Sequence, residues 1–305
     1  MHVVILGAGA LGGYFGLRYQ EAGAKVTFLV RERRAEQIQK HGLAIRSPQG
    51  DYNVKDPILC TDPNNIEKPD IVIVSVKGYH LAGTLDSLQV LVQKGAYILP
   101  VLNGIEHMDI LQEKLGEKNI IGGLSFIIAT LNEQGYVVHS SDFHELVFGP
   151  LNSSQEEVCK RLEELSSKAV MTATYHPSIL YEQWKKYMFI SAFSGITTAI
   201  NLPIGPIREH KETFAIAVNL LQEMKKLANA CQIKLTDDDV EMAKEKLLGL
   251  NNEATSSMHQ DRRKQSPLEL DHLHGAAIRL AKQKGLTLPY TNMVLGMVKP
   301  FANLT

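Results

Sequence analysis

A glycine-rich hexapeptide, GAGALG at residues 7–12, follows directly on the apolar run HVVIL. No other feature restricts the possible folds so strongly. It has G-x-G-x-x-G spacing between a strand-like run and a helical pattern, where the motif carries meaning. There Gly7 permits a tight turn, Gly9 lets a pyrophosphate approach the backbone, and Gly12 lets helix and strand pack closely. The following helix offers unpaired N–H groups and a partial positive charge at its start. Gly7, Ala8, Gly9, Ala10, Leu11 and Gly12 are therefore candidate dinucleotide contacts. The competing reading is a tight strand-to-helix turn with no ligand.

The next apolar run, KVTFLV, ends at Arg31 within TFLVRERR. A carboxylate at this strand end accepts hydrogen bonds from a ribose, whereas an arginine suits a 2′-phosphate, which a guanidinium can grip with two hydrogen bonds. Arg31, supported by the charges of Arg33 and Arg34, predicts NADPH over NADH. The alternative is a solvated basic turn, partly offset by Glu32.

The continuous apolar runs DIVIVSVK and AYILPVLNG come next, separated by helical patterns. Such runs indicate a parallel sheet covered on both faces. LAIRS and DYNVK flank PQG and predict a hairpin. GGLSFIIATL, GYVVHS and HELVFG read as three later strands, antiparallel to one another. Beyond residue 151 the pattern turns helical, and from PSILYEQWKKYMFISAFSGITTAI onward few strand-like runs remain. The expected fold is an α/β Rossmann-type N-terminal domain, residues 1–170, followed by a mostly α-helical domain, residues 171–305.

Composition narrows the function classes. The 305 residues carry 32 Lys plus Arg against 33 Asp plus Glu, so global charge gives no argument for a nucleic-acid partner. Aromatic residues are not interleaved with basic ones, which removes a stacking platform. Cys60, Cys159 and Cys231 lie far apart without C-x-x-C spacing, which argues against a disulfide framework or a zinc site. No basic leader precedes HVVILG, and no apolar run reaches the length of a membrane span. The expectation is a cytoplasmic protein with no membrane association and no metal site. His272 and His274, two apart, read as a helix surface.

Further motifs form an ordered set: Lys77 in SVKGYH, Asn103 in VLNGIEH, Lys186 in EQWKKYMFISAFSGITTA, and Ser257 and Glu269 in SSMHQDRRKQSPLELDHLHG. With GAGALGG, and with GAAIRLAKQKGLTLPYTNMVLGMVK at the end, this order resembles the ketopantoate reductase family over nearly the whole chain. The resemblance implies NADPH as cofactor, a small 2-oxo acid as substrate, an active site in a cleft between the two domains, and a homodimer as one assembly. It implies Lys186, matching the lysine of W-x-K, as general acid, with Glu269 and Asn103 as its catalytic partners. It places Lys77 and Asn103 beside the cofactor, and Lys77, Asn103, Lys186, Ser194, Ser257 and Glu269 beside the substrate. One departure stands out. Members of the family carry two asparagines after the lysine, where this chain has Ile190 and Ser194. Isoleucine cannot donate a hydrogen bond and serine is shorter, which favours a more apolar 2-oxo acid.

The residues alone leave plainer readings open. Hydride addition to a ketone puts negative charge on oxygen, and a lysine of lowered pKa suits that oxygen. Yet Lys186 next to Lys185 also reads as an exposed residue of an amphipathic helix. Asn103-Gly104 reads as a turn and Lys77 as a surface lysine. Ser257 reads as a helix cap, and Glu269 as a carboxylate placed by the helix dipole. Arg262 and Arg263 read as a solvated face. Three functions follow: reduction of ketopantoate, reduction of another branched 2-oxo acid, or a non-catalytic NADP(H)-binding regulator.

Overall fold

The structure is a computed structural model, and it describes residues 1–302. The chain divides into two compact units: residues 1–102 with 107–179, and residues 103–106 with 180–305.

The first unit contains two five-stranded sheets. One is all-parallel, built from β1 (His2–Leu6), β2 (Lys25–Leu29), β5 (Ile58–Cys60), β6 (Ile71–Val74) and β7 (Tyr97–Pro100) in the order β5-β2-β1-β6-β7. β1 and β6 are buried along their whole length, as strands covered on both faces must be. The register pairs Leu6 with Leu29 on one side and with Val74 on the other. The residues that follow these strands therefore gather at one sheet edge, beside β1, where the order reverses. Ligands bind at such a switch point in open α/β sheets.

The second sheet holds β3 (Leu43–Arg46), β4 (Tyr52–Val54), β8 (Gly122–Leu131), β9 (Val137–Gly149) and β10 (Thr172–Tyr175). β3 and β4 form the expected hairpin, and β8 runs antiparallel to β9. The two runs read separately as GYVVHS and HELVFG belong to one strand, β9. No glycine or proline interrupts them, and the irregularity is absorbed within β9 itself, where residues 140–143 are the excess between His139, opposite Ala129, and His144, opposite Ile127. Helix α1 (Ala10–Glu21) packs on strands of both sheets, and Val3, Ile5, Phe15, Phe28, Val137 and Leu146 share one buried core with it. The unit's remaining helices are α2 (Glu32–His41), α3 (Leu85–Gln93), α4 (Glu106–Leu115, from His107 onward) and α5 (Glu156–Ser166).

The division between units falls after Ile179, not after residue 170. The reason is β10, which pairs in parallel with β9 and so belongs to the first unit. The second unit also takes in Asn103–Glu106, where Glu106 is ion-paired with Arg279 at 2.7 Å. Its helices are α6 (Ile179–Ile200), α7 (Ile204–Glu209), α8 (Lys211–Ala230), α9 (Asp237–Gly249), α10 (Ser257–Arg263), α11 (Ala276–Gln283) and α12 (Pro289–Val298). Helix α6 is buried on most sides, as a helix apolar all round must be. Among the described residues, no helix is long and apolar enough to cross a membrane. Glu223 of α8 accepts hydrogen bonds from the backbone N–H groups of Tyr290 and Thr291, both at 2.8 Å, which satisfies the start of α12 with a favourably placed negative charge.

Candidate active site

In the first unit, the strand ends frame a groove of about 410 Å³ lined by Gly7, Ala8, Gly9, Arg31, Lys77 and His80 among others. Gly7 has φ +97°, a conformation that suits glycine. Gly12 has no room for a side chain: a Cβ there would lie 2.1 Å from the Gly7 carbonyl oxygen and 2.1 Å from Ser75 Oγ. At Gly9 the same test meets nothing within 4 Å, so the space beside that backbone is open. Gly9 is also the N-cap of α1 and supplies no side-chain cap, which leaves the first N–H groups of the helix to an external acceptor. Ser75 donates to the Gly7 carbonyl at 2.7 Å and pins the loop. These features fit a dinucleotide phosphate.

The three arginines of RERR divide in purpose. Arg34 is half-buried and committed: its side chain donates to the Ala8 carbonyl at 3.0 Å, the Gly135 carbonyl at 2.9 Å and Gln37 at 2.6 Å. It braces the glycine loop against the β8–β9 turn. Arg31 and Arg33 are exposed, and with Arg34 and Gln37 they line a basic recess beside the groove. Arg31 borders both spaces. Burial and the Arg31 charge together hold the His80 imidazole below its usual pKa. His80, Ser75 and Thr84 at this edge escaped the sequence reading. The signal for them is position: all follow β6, whose end must border any ligand at the switch point.

In the second unit, Lys186 is 7% exposed on α6, beside Trp184, Tyr187 and Phe189, all buried. Burial pushes its pKa down from 10.5 to about 8; Glu269 acts in the opposite direction, and Lys246 adds to the lowering. Glu269 is itself 5% exposed. The neighbouring Lys185 takes the ordinary role, pairing with Glu182 at 3.3 Å and lying over the Tyr181 ring. One step along the helix thus separates a surface lysine from a buried one, a distinction that sequence adjacency conceals.

The segment after Glu269 departs from the sequence reading. Asp271–Gly275 forms a π-helical turn, a feature common at functional sites. His274 is not on a surface: it is fully buried, its Nε2 lies 2.9 Å from the Ser191 carbonyl oxygen, and burial lowers its pKa to about 4. His272 is half-buried and hydrogen-bonds the backbone of Asn103. Tyr187 donates to the Leu273 carbonyl at 2.6 Å. Gly104, at φ +85°, sits where a Cβ would come within 3.0 Å of the His272 carbonyl oxygen. The Asn103-Gly104 turn is thus held against the same segment that carries Glu269.

The other second-unit candidates are dispersed in character. Ser194 is buried on α6, two turns beyond Lys186, with half-buried Ile190 between them. Ser257 is exposed as the first residue of α10, and the cap is its neighbour Ser256, whose Oγ accepts from the His259 N–H at 3.1 Å. Arg263 is exposed, but Arg262 is no solvated charge: it donates to the carbonyls of Thr198 and Ala199 at the end of α6 and lies 3.9 Å from the Phe301 ring centroid.

A parallel sheet with a glycine loop at its switch point, followed in sequence by a helical unit with a buried lysine, is the plan of a two-part oxidoreductase. Residues 3–153 match the family described as ketopantoate reductase PanE/ApbA, and residues 178–302 match the C-terminal part of the same family. The chain belongs to the ketopantoate reductase family. It is 32% identical over 294 residues to the uncharacterized oxidoreductase YkpB of Bacillus subtilis (strain 168), covering 96% of each. It is 26% identical over 302 residues to the 2-dehydropantoate 2-reductase of Nostoc sp. (strain PCC 7120), covering 97% of this chain and 93% of that one. A D-mandelate dehydrogenase solved with NADH and anilino(oxo)acetate superposes with a TM-score of 0.88 at 25% identity, covering 99% of this chain and 98% of that one.

Proposed function

We propose that this oxidoreductase reduces a 2-oxo acid to the 2-hydroxy acid with NADPH, with ketopantoate (2-dehydropantoate) as the first substrate to test. The observation that carries this reading is Lys186, a buried lysine whose pKa is brought down to about 8. At neutral pH most of it is protonated, and it is a far stronger acid than an exposed lysine.

When bound, the reduced nicotinamide supplies the hydride. The glycine loop and the open start of α1 hold the pyrophosphate, and Arg31 pairs with the 2′-phosphate. Lys77 faces the reacting end of the cofactor or the substrate. Lys186 donates a hydrogen bond to the 2-oxo oxygen and then the proton that completes the alcohol. Glu269 favours the charged lysine and so keeps the acid loaded between turnovers. Asn103 orients the lysine or the substrate oxygen, and Ser194 and Ser257 contribute hydroxyls to the substrate. A spectrophotometric screen of 2-oxo acids against NADPH and NADH tests the whole reading. Turnover of none of them, with tight NADPH binding retained, would replace it with the NADP(H)-binding regulator.

A second reading changes only the substrate. Ile190, Phe189 and Phe193 lie on successive turns beside Lys186, and the two phenylalanine rings are 5.9 Å apart. This apolar surface suits a bulky or aromatic 2-oxo acid better than the hydroxyl-bearing ketopantoate. Likeness to a D-mandelate dehydrogenase supports the same direction. Phenylglyoxylate tested beside ketopantoate discriminates between them.

A further inference from the structure

Lys186 and Glu269 sit on segments far apart in sequence, yet the Glu269 charge is felt at Lys186. A Coulomb interaction depends on distance, so the two backbones must be held in register. Two hydrogen bonds do this. Tyr187, the residue after Lys186, donates its hydroxyl to the Leu273 carbonyl at 2.6 Å, and the Leu273 N–H donates to the Glu269 carbonyl at 3.0 Å. The backbone of Glu269 is thus two hydrogen bonds away from the neighbour of Lys186. One turn further along α6, the Ser191 carbonyl oxygen lies 2.9 Å from His274 Nε2. Tyr187 and Ser191 are four apart and share one face of α6. Their partners, Leu273 and His274, are adjacent in the π-helical turn Asp271–Gly275. Both bonds therefore join one face of α6 to one turn.

The local sequence makes room for this arrangement. A Cβ on Gly195 would lie 2.7 Å from His274 Nε2, so the imidazole packs where α6 carries no side chain. Asp271, at the start of the turn, is ion-paired with Arg279 at 3.0 Å. An α-helical turn in place of the π-helical one would hold one residue fewer and rotate His274 by about 100° relative to Glu269. Only an N–H can donate to a carbonyl, so Nε2 carries the imidazole proton, and the buried Nδ1, with no hydrogen-bond partner, is a bare lone pair. Burial lowers the His274 pKa to about 4 and raises that of the Tyr187 hydroxyl. Both groups therefore stay in their donor forms over the range in which Lys186 titrates.

We propose that Tyr187 and His274 are positioning residues: they clamp the turn that follows Glu269 to α6 and so fix the Glu269 carboxylate relative to the Lys186 ammonium. This deepens the reading of Lys186 as general acid and rests on that reading for its place in catalysis, since a lysine without the carboxylate loses its proton at lower pH. The charged and titratable groups around the clamp are Glu269 and Lys246 at Lys186, and Glu106, Arg279 and Cys231 at Tyr187. Apart from Glu269, the test leaves them all in place.

The test titrates Lys186 in the full chain by heteronuclear NMR of isotope-labelled lysine, with the resonance assigned by its absence in Lys186→Arg. The wild type should titrate at about 8. Tyr187→Phe keeps the ring and its burial but removes the donor, and His274→Leu keeps an apolar group of similar reach. Each should lower the Lys186 pKa by about 0.5 to 1, because the support of Glu269 weakens while burial stays. Glu269→Gln should lower it further. His274→Gln, which keeps an N–H donor at the end of its side chain, should restore most of the wild-type value. The deciding measurement is the double variant. With Glu269→Gln in place, Tyr187→Phe should change the pKa by less than about 0.2, because the clamp acts only through that carboxylate. An unchanged pKa in both Tyr187→Phe and His274→Leu would overturn the proposal, as would an equal shift with and without Glu269→Gln. The pH dependence of kcat is followed in parallel, and its upper limb should move with the NMR value. If the NMR shifts hold but no 2-oxo acid is reduced, the catalytic reading fails while the clamp stands.

Discussion

The glycine groove of the first unit and the buried lysine of the second are built on opposite plans. The groove is made of backbone: a helix start with no room for a side chain at Gly12, open space at Gly9, and N–H groups at the start of α1. Arg31, the residue proposed to select the cofactor, is exposed. The lysine site is made of side chains taken out of water, and its chemistry comes from that removal. The Lys186 pKa is lowered because burial penalises its charge, with Glu269 and Lys246 adjusting the result in opposite directions. A backbone site fails when something is added to it, whereas a desolvated site fails when something is removed.

The largest break in the comparison is Lys186→Ala. Removing a general acid should lower kcat by about 10³-fold, while NADPH affinity, read by fluorescence titration, stays within a factor of about two, because the cofactor groove belongs to the other unit. A comparable loss of NADPH binding would show that the two functions are not separable. Next is pH. In the proposed reaction the charged lysine is the active form, so kcat should hold below pH 8 and fall about tenfold per unit above it. A profile flat to pH 10 would mean that burial does not set the acidity of this group.

Arg31→Glu comes third. Replacing a guanidinium by a carboxylate at a 2′-phosphate should raise KM for NADPH about 10- to 100-fold and leave or improve that for NADH. Equal effects on both cofactors would assign Arg31 a structural role, which Arg34 already fills through Ala8 and Gly135. The mildest change is Ile190→Asn. It restores a hydrogen-bonding side chain beside Lys186 and should shift kcat/KM toward ketopantoate and away from phenylglyoxylate by a few-fold, on the order of 1 kcal/mol. A shift in the opposite direction would remove the argument from the apolar face of α6.

The first unit was the more legible because its signals are local. A strand, the loop of residues 7–9 and the start of a helix are contiguous, so spacing alone reports the turn, the close packing and the open donors. The β3–β4 hairpin was equally readable from its flanking turn. Legibility ended where pairing became non-local. The short strands β5 and β10 have no pattern of their own and exist because β2 and β9 offer them an edge. For the same reason residues 171–179 joined the first unit. In the second unit, sequence resemblance pointed to Lys186 and Glu269, but nothing in KK separates a salt-bridged surface lysine from a buried acid. The π-helical turn, the burial of His274 and the approach of Lys246 from α9 had no local signature.

The sequence by itself determined the kind of ligand a first strand and helix could accept and the order of sheet and helices, because glycine spacing and hydrophobic period act over a few residues. Only the tertiary structure decided which lysine loses its water and which distant charges surround it. Desolvation and Coulomb forces depend on position in space, and a pKa near 8 at Lys186 is the sum of contributions from α6, from the π-helical turn region and from α9.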